Sequence, residues 1–208
     1  MDKKLLNQSL TKKQMLFITS SIIIISGFLG WVYEFIFYYF NSGMTTFYMR
    51  GGNFFPWINI YCFGAFLIIF LTSKIRKHPL QVFFVSMIST GLLELVSGYV
   101  LYEKLHWIRC WDYNQEILNF GNIGGYVCLR SVTVFGLCGL LLVYGIIPLL
   151  IKISKTKKLN ILLSITILLA SLIIIDEIYN LFIYKWLSLP RAPTIYEKIG
   201  FKYLYFSK

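Results

Sequence analysis

Acidic residues are scarce in this chain. Nine Asp and Glu stand against 20 Lys and Arg, for a formal charge of +11 over 208 residues. Charged residues of both signs make up only 14% of the sequence, while 57% is hydrophobic and 18% aromatic. So little charge excludes an ordinary soluble domain and fits a polytopic membrane protein. A basic balance can mark nucleic-acid binding. Here Lys and Arg gather in short segments between apolar runs, which points to membrane lipids with anionic headgroups and away from nucleic acid. Abundant Ile, Lys, Asn, Phe and Tyr suggest a bacterial chain with an AT-rich gene, and so a bacterial plasma membrane.

Metal and catalytic signatures are also missing. The four cysteines, Cys62, Cys110, Cys128 and Cys138, form no CxxC pair, so neither a redox nor a structural zinc motif is signalled. Cys110 and Cys128 fall on one side of the expected topology, where pairing and plain packing both stand open. The two histidines, His78 and His106, fall on opposite sides and cannot share a metal. Carboxylates alone would suit only a hard cation. Neither HExxH nor GxSxG occurs, and the glycine pairs lack a nucleotide-binding context. No cofactor and no metal are expected.

What the chain has is long apolar runs. They cover about 16–40, 54–73, 79–102, 125–151 and 160–187, each long enough to cross a hydrocarbon core of about 30 Å. The expectation is one all-α membrane domain, a helix bundle of five transmembrane spans. Lys and Arg set its orientation. The first 15 residues, the 74–78 turn and the 152–158 turn together hold eleven. The opposite short segments hold four: Arg50, Lys104, Arg109 and Arg130. This places the N-terminus in the cytoplasm, although the C-terminal stretch adds basic residues outside. Similar stretches, Cys62-Phe63-Gly64-Ala65 and Val134-Phe135-Gly136-Leu137, with Glu34 and Glu94 at comparable points of two spans, hint at duplicated hairpins.

The ionisable residues inside these runs, Glu34, Glu94, Arg130, Asp176 and Glu177, all fall toward the outer side of that topology. Charge in hydrocarbon is expensive, so such groups face protein or a watery cavity. Gly27, Gly30 and Glu34 share a helical face, and Thr90, Gly91, Glu94, Ser97 and Gly98 form another stripe. Carboxylates at one depth cannot all be ionised in a dry site. Protonation, the arginines Arg50 and Arg130, or a bound cation would resolve the conflict, and an internal ion-pair network that fixes packing competes with a binding site. In the outer segment Trp107–Asn114, Asp112 would cap a turn, act as an acid or base, or hold Arg50 or Arg109. Arg50-Gly51-Gly52-Asn53 and the stretch with Asn119, Gly121, Asn122, Gly124 and Gly125 offer turns whose N–H groups suit an anion.

Several of these elements carry a resemblance. Gly30-Trp31-Val32-Tyr33-Glu34, Arg50-Gly51, Ile60-Tyr61, Phe63-Gly64-Ala65, Glu94, Trp111-Asp112-Tyr113, Gly125-Tyr126-Val127-Cys128-Leu129 and Phe135-Gly136 through Pro148 occur in order between about residues 25 and 185. They resemble the bacterial family labelled putative ABC-transporter permease, type IV or CmpB-like. Asn59 and Cys62 depart from its pattern, which has Pro and Gly there, and Asn114 stands where Ser is common. The resemblance implies a transport role with the ATPase as a separate subunit. The leading expectation is a transport-related subunit with an outward-facing polar cavity for a small cationic or zwitterionic solute or a lipid headgroup. Its lining would be Glu34, Arg50, Asn53, Glu94, Asp112, Asn122, Arg130, Asp176 and Glu177. One alternative is a membrane enzyme acting on a lipid-linked substrate, with Glu34 or Glu94 as general base and Arg50 as phosphate clamp. Another is a non-catalytic partner, such as an immunity or assembly factor. Homo-oligomerisation stays open.

Overall fold

A computed structural model describes residues 10–106 and 109–206. Lys3, Lys4, Trp107 and Ile108, used in the arguments above, lie outside the described residues. The described chain is mostly helical. Four helices are long and apolar enough to cross a membrane: α1 (Lys12–Asn41), α3 (Pro79–Lys104), α4 (Leu129–Ile153) and α5 (Leu159–Trp186). Between them α2 (Asn59–Thr72) is apolar but only 14 residues long, about 21 Å. A short α6 (Ala192–Lys198) follows. Two-residue strands, β1 (Tyr48–Met49) and β2 (Lys202–Tyr203), pair in parallel.

The second apolar run is therefore helical over less of its length than expected. Residues 54–58 are not helical. Pro56 has no N–H to give a helix and pushes the residue before it away from helical geometry. The helix begins once that constraint has passed.

The chain forms two compact units, Met1–Cys62 with Gly145–Tyr203, and Phe63–Tyr144 with Leu204–Lys208. In the first unit, α1 starts at a capping box. Thr11 Oγ1 accepts from Gln14 N at 3.3 Å, and Gln14 Oε1 accepts from Thr11 N at 2.9 Å. This reciprocal pair meets two N–H groups that the first turn leaves open, so α1 begins before the apolar run does. The helix packs on α5, where Ser20 Oγ donates to Thr166 Oγ1 at 2.9 Å. Its glycines admit rings: a Cβ at Gly27 would fall inside the Trp57 indole, and one at Gly30 inside the Tyr61 ring.

In the second unit, α3 packs along α4. Small residues make the close approach, with Gly91 against Val132, Gly136 against Phe83 and Gly139 against Ser86. Such contacts hold helices together where lipid is as apolar as the side chains.

Two of the long helices loosen into a π turn with an identifiable cause. In α4 the turn Leu142–Ile146 precedes Pro148, whose ring would crowd a carbonyl one turn back. In α5 the turn Tyr179–Ile183 begins where Asn180 Nδ2 donates to the Asp176 carbonyl at 3.0 Å. A side chain there enters the backbone ladder.

The glycine contacts generate a test. Gly136→Val places a branched side chain into the Phe83 ring and should lower stability by about 1–3 kcal/mol. Gly64→Ala adds a Cβ whose nearest neighbour is Thr90 Cγ2 at 3.7 Å, and should stay within about 0.5 kcal/mol of wild type. Thermal unfolding in detergent measures both.

Candidate functional site

Polar groups gather at one centre in each unit. In the first unit the centre forms around residues 50–58. Arg50 Nε donates to Glu34 Oε2 at 2.8 Å, and the Arg50 side chain is only 7% exposed. Tyr61 OH donates to Glu34 Oε1 at 3.2 Å. The Arg50 guanidinium lies over the Tyr38 ring, 4.1 Å from its centroid. Trp31 Nε1 holds the Arg50 carbonyl at 3.1 Å. A buried ion pair persists when its remaining donors and acceptors are also engaged, and here Tyr61, Tyr38 and Trp31 surround the pair.

Beyond Arg50 the backbone descends along α1. Gly51 and Gly52 turn it with φ of +93° and +148°, values that favour glycine. Phe54 N and Phe55 N donate to the two oxygens of Asp176, at 3.0 and 2.8 Å. Asn53 Nδ2 and Asn59 Nδ2 each donate to Glu177 at 2.6 Å. Trp57 Nε1 then donates to the Ile23 carbonyl at 2.7 Å, and Ile58 N to the Gly27 carbonyl at 3.2 Å. Ile23 lies 18 residues before Asn41, about 27 Å along the axis of α1. Irregular chain thus reaches the middle of a membrane-length helix.

The two acids of α5 have a shared task in this arrangement. Asp176 is buried and accepts from Asn180 Nδ2 at 2.7 Å in addition to the two backbone donors. Glu177 clamps Asn53, before the loop's deepest part, to Asn59 at the start of α2. Asn180 Oδ1 also accepts from Ala192 N at 2.8 Å, and Tyr196 OH donates to the Phe54 carbonyl at 2.8 Å. The chain after α5 is thereby tied to the same loop.

In the second unit Glu94 is the centre. It is buried and accepts from Tyr113 OH at 2.6 Å and Ser131 Oγ at 2.9 Å. Arg130 pairs with Glu116 at 2.5 Å, with its guanidinium 5.4 Å from the Tyr113 centroid. Asp112 holds Arg109 at 2.6 Å and caps the turn Tyr113–Gln115 by accepting from Asn114 N at 3.1 Å. Burial works against the Arg109 charge, but the Asp112 carboxylate outweighs it and keeps that guanidinium above its ordinary range. Asn122 is a turn residue: it donates to Asn114 Oδ1 at 2.7 Å and accepts from Gly125 N at 2.8 Å. The four cysteines are free thiols, with Cys110 exposed and Cys128 buried.

Glu34, Arg50, Asn53, Asp176 and Glu177 thus meet in the first unit, and Glu94, Asp112, Asn122 and Arg130 belong to the second. The sequence reading missed most of their partners. Tyr61, Trp57, Asn180, Tyr113, Ser131 and Glu116 carry no motif of their own. Asn59 did carry a signal: it departs from the family pattern, and its amide closes on Glu177. Among the described residues no cluster of His, Cys, Asp and Glu is arranged to hold a metal.

Two substitutions test the loop's anchoring. Asp176→Ala strands two backbone N–H groups and should lower stability by about 2–6 kcal/mol, with Asp176→Asn between it and wild type. Glu34→Gln leaves Arg50 buried without its carboxylate and should cost about 3–5 kcal/mol. The double variant Glu34→Gln/Arg50→Met should cost less than the sum of the single changes. Denaturation of the purified proteins gives the cycle.

No curated protein and no solved structure matches the chain. A family model does, over residues 21–181, a span that takes in Glu34, the 50–58 loop, Glu94, Asp112, Arg130 and both acids of α5. With four membrane-length apolar helices and this match, the chain is a multi-pass, transport-related membrane protein and belongs to the family described as "Putative ABC-transporter type IV".

Proposed function

We propose that this chain is the membrane-embedded subunit of a transport system driven by a separate ATPase. Residues 50–58, with Glu34, Arg50, Asn53, Asp176 and Glu177, form the wall of its outward-facing polar path. One observation carries this reading: irregular backbone lies beside the middle of α1. Non-helical chain at membrane depth is tolerated where it is buried in protein or lines a watery cavity. Broken elements of this kind build the solute sites of many transporters. The path takes a small cationic or zwitterionic solute or a lipid headgroup, because the donors that meet Asp176 and Glu177 are neutral and, among the described residues, no cation forms an ion pair with either. The N-terminus faces the cytoplasm in this reading.

The catalytic alternative asks Arg50 to clamp a phosphate. Arg50 is already enclosed by Glu34 and Tyr38, which favours transport.

Two measurements check the proposal. Mass spectrometry of the purified wild type should find a small molecule or lipid that is lost from Glu177→Gln. An identical set in both proteins would contradict the path. In a cysteine-free background, Thr156→Cys should resist an impermeant maleimide in intact cells and react once the membrane is opened. Labelling in intact cells would reverse the orientation.

A further inference from the structure

We propose that Arg191 binds a phosphate-type oxyanion beside the Gly51–Gly52 turn. The segment carrying Arg191 is pinned on both sides. Tyr179 OH donates to the Pro190 carbonyl at 2.9 Å, and Ala192 N donates to Asn180 Oδ1 at 2.8 Å. The Tyr184 ring supports the guanidinium, 5.2 Å from its centroid. The backbone on either side of Arg191 is thus fixed, and the ring contact orients its guanidinium, which lowers the ordering cost when a partner arrives.

Charge pairing sets Arg191 apart from the arginines of the two polar centres. Arg50, Arg109 and Arg130 each hold a carboxylate. Among the described residues no carboxylate lies within 4.0 Å of Arg191, and its buried Nε has no hydrogen-bond partner. A buried donor without an acceptor is rare and calls for a reason. The adjacent acids, Asp176 and Glu177, are engaged by the loop instead.

Gly52 completes the surface. Its φ of +148° strains any side chain, and a Cβ there would stand 3.5 Å from Arg191 Nη2. The planar guanidinium matches the oxygens of a phosphate through two parallel hydrogen bonds, which an ammonium group cannot copy. A phosphate group reaches this place from a lipid headgroup or from a free anion. The proposal rests on the reading of residues 50–58 as the working face and names the anionic part of what that face admits. The two are tested apart, since Glu177→Gln addresses the path and Arg191→Gln this site.

The experiment uses the full chain, delipidated in detergent, with two probes. One is inorganic phosphate, followed by thermal shift. The other is short-chain phosphatidylglycerol, followed by native mass spectrometry against a diacylglycerol control that lacks phosphate. Arg191→Gln should weaken the bound probe about tenfold or more, and Arg191→Lys, which keeps the charge and loses the fork, should fall between it and wild type. Loss of phosphate binding alone assigns a free anion, and loss of lipid binding alone assigns a headgroup. If Arg191→Gln fails to fold, Arg191→Lys alone decides. Equal retention of both probes by wild type and variant overturns the proposal.

Discussion

Backbone polar groups that water cannot reach must find partners inside the protein. At the membrane depth proposed for residues 50–58 that constraint falls on their backbone, and partners for it come from α1, α5 and the chain after α5. Pro56 removes one N–H from the demand. Asp176 accepts two others, and the Gly27 carbonyl accepts a third. Trp31 and Tyr196 donate to the loop's carbonyls at its two levels. Seen this way, the acids of α5 are acceptors for broken backbone as much as charges. The π turn in α5 belongs to the same arrangement, because the Asn180 side chain within it binds Asp176 and holds Ala192.

The second unit uses a similar device. Glu34 late in α1 holds a residue of the following loop, Arg50, and the third residue of the next helix, Tyr61. Glu94 late in α3 holds a loop residue, Tyr113, and the third residue of its next helix, Ser131. The partners differ in chemistry, a guanidinium and a hydroxyl in one case and two hydroxyls in the other. The positions correspond, which supports the duplication hinted at by Phe63-Gly64 and Phe135-Gly136. In both units a helix acid fixes the loop that joins two helices.

The long helices were legible because an apolar run of membrane length has few alternative readings. Their ends were less so: α1 begins with the Thr11–Gln14 box, outside the apolar run. The break at residues 54–58 had a visible cause in Pro56, yet its depth did not. Depth depends on Trp57 meeting Ile23 and on Phe54 and Phe55 meeting Asp176, contacts between residues 34 and more than 120 positions apart. The acids stood out in the sequence, since charge in an apolar run is conspicuous. Their partners were not, since a tyrosine, serine or asparagine in such a run looks like many others. Arg191 went unnoticed for the opposite reason. It lies in a tail where basic residues are common, and what marks it, the Tyr184 ring under its guanidinium and Gly52 beside its Nη2, is a matter of contacts that the sequence does not display.

The central claim is that residues 50–58 enter the bilayer and stop near the middle of α1. Nitroxide labels on single cysteines at residues 28, 40 and 55, in a cysteine-free chain in liposomes, measure it directly through their relative access to oxygen and to a water-soluble nickel chelate. The account predicts that the label at 55 reports the depth of the label at 28. A label at 55 that matches position 40, near the end of α1, would contradict it.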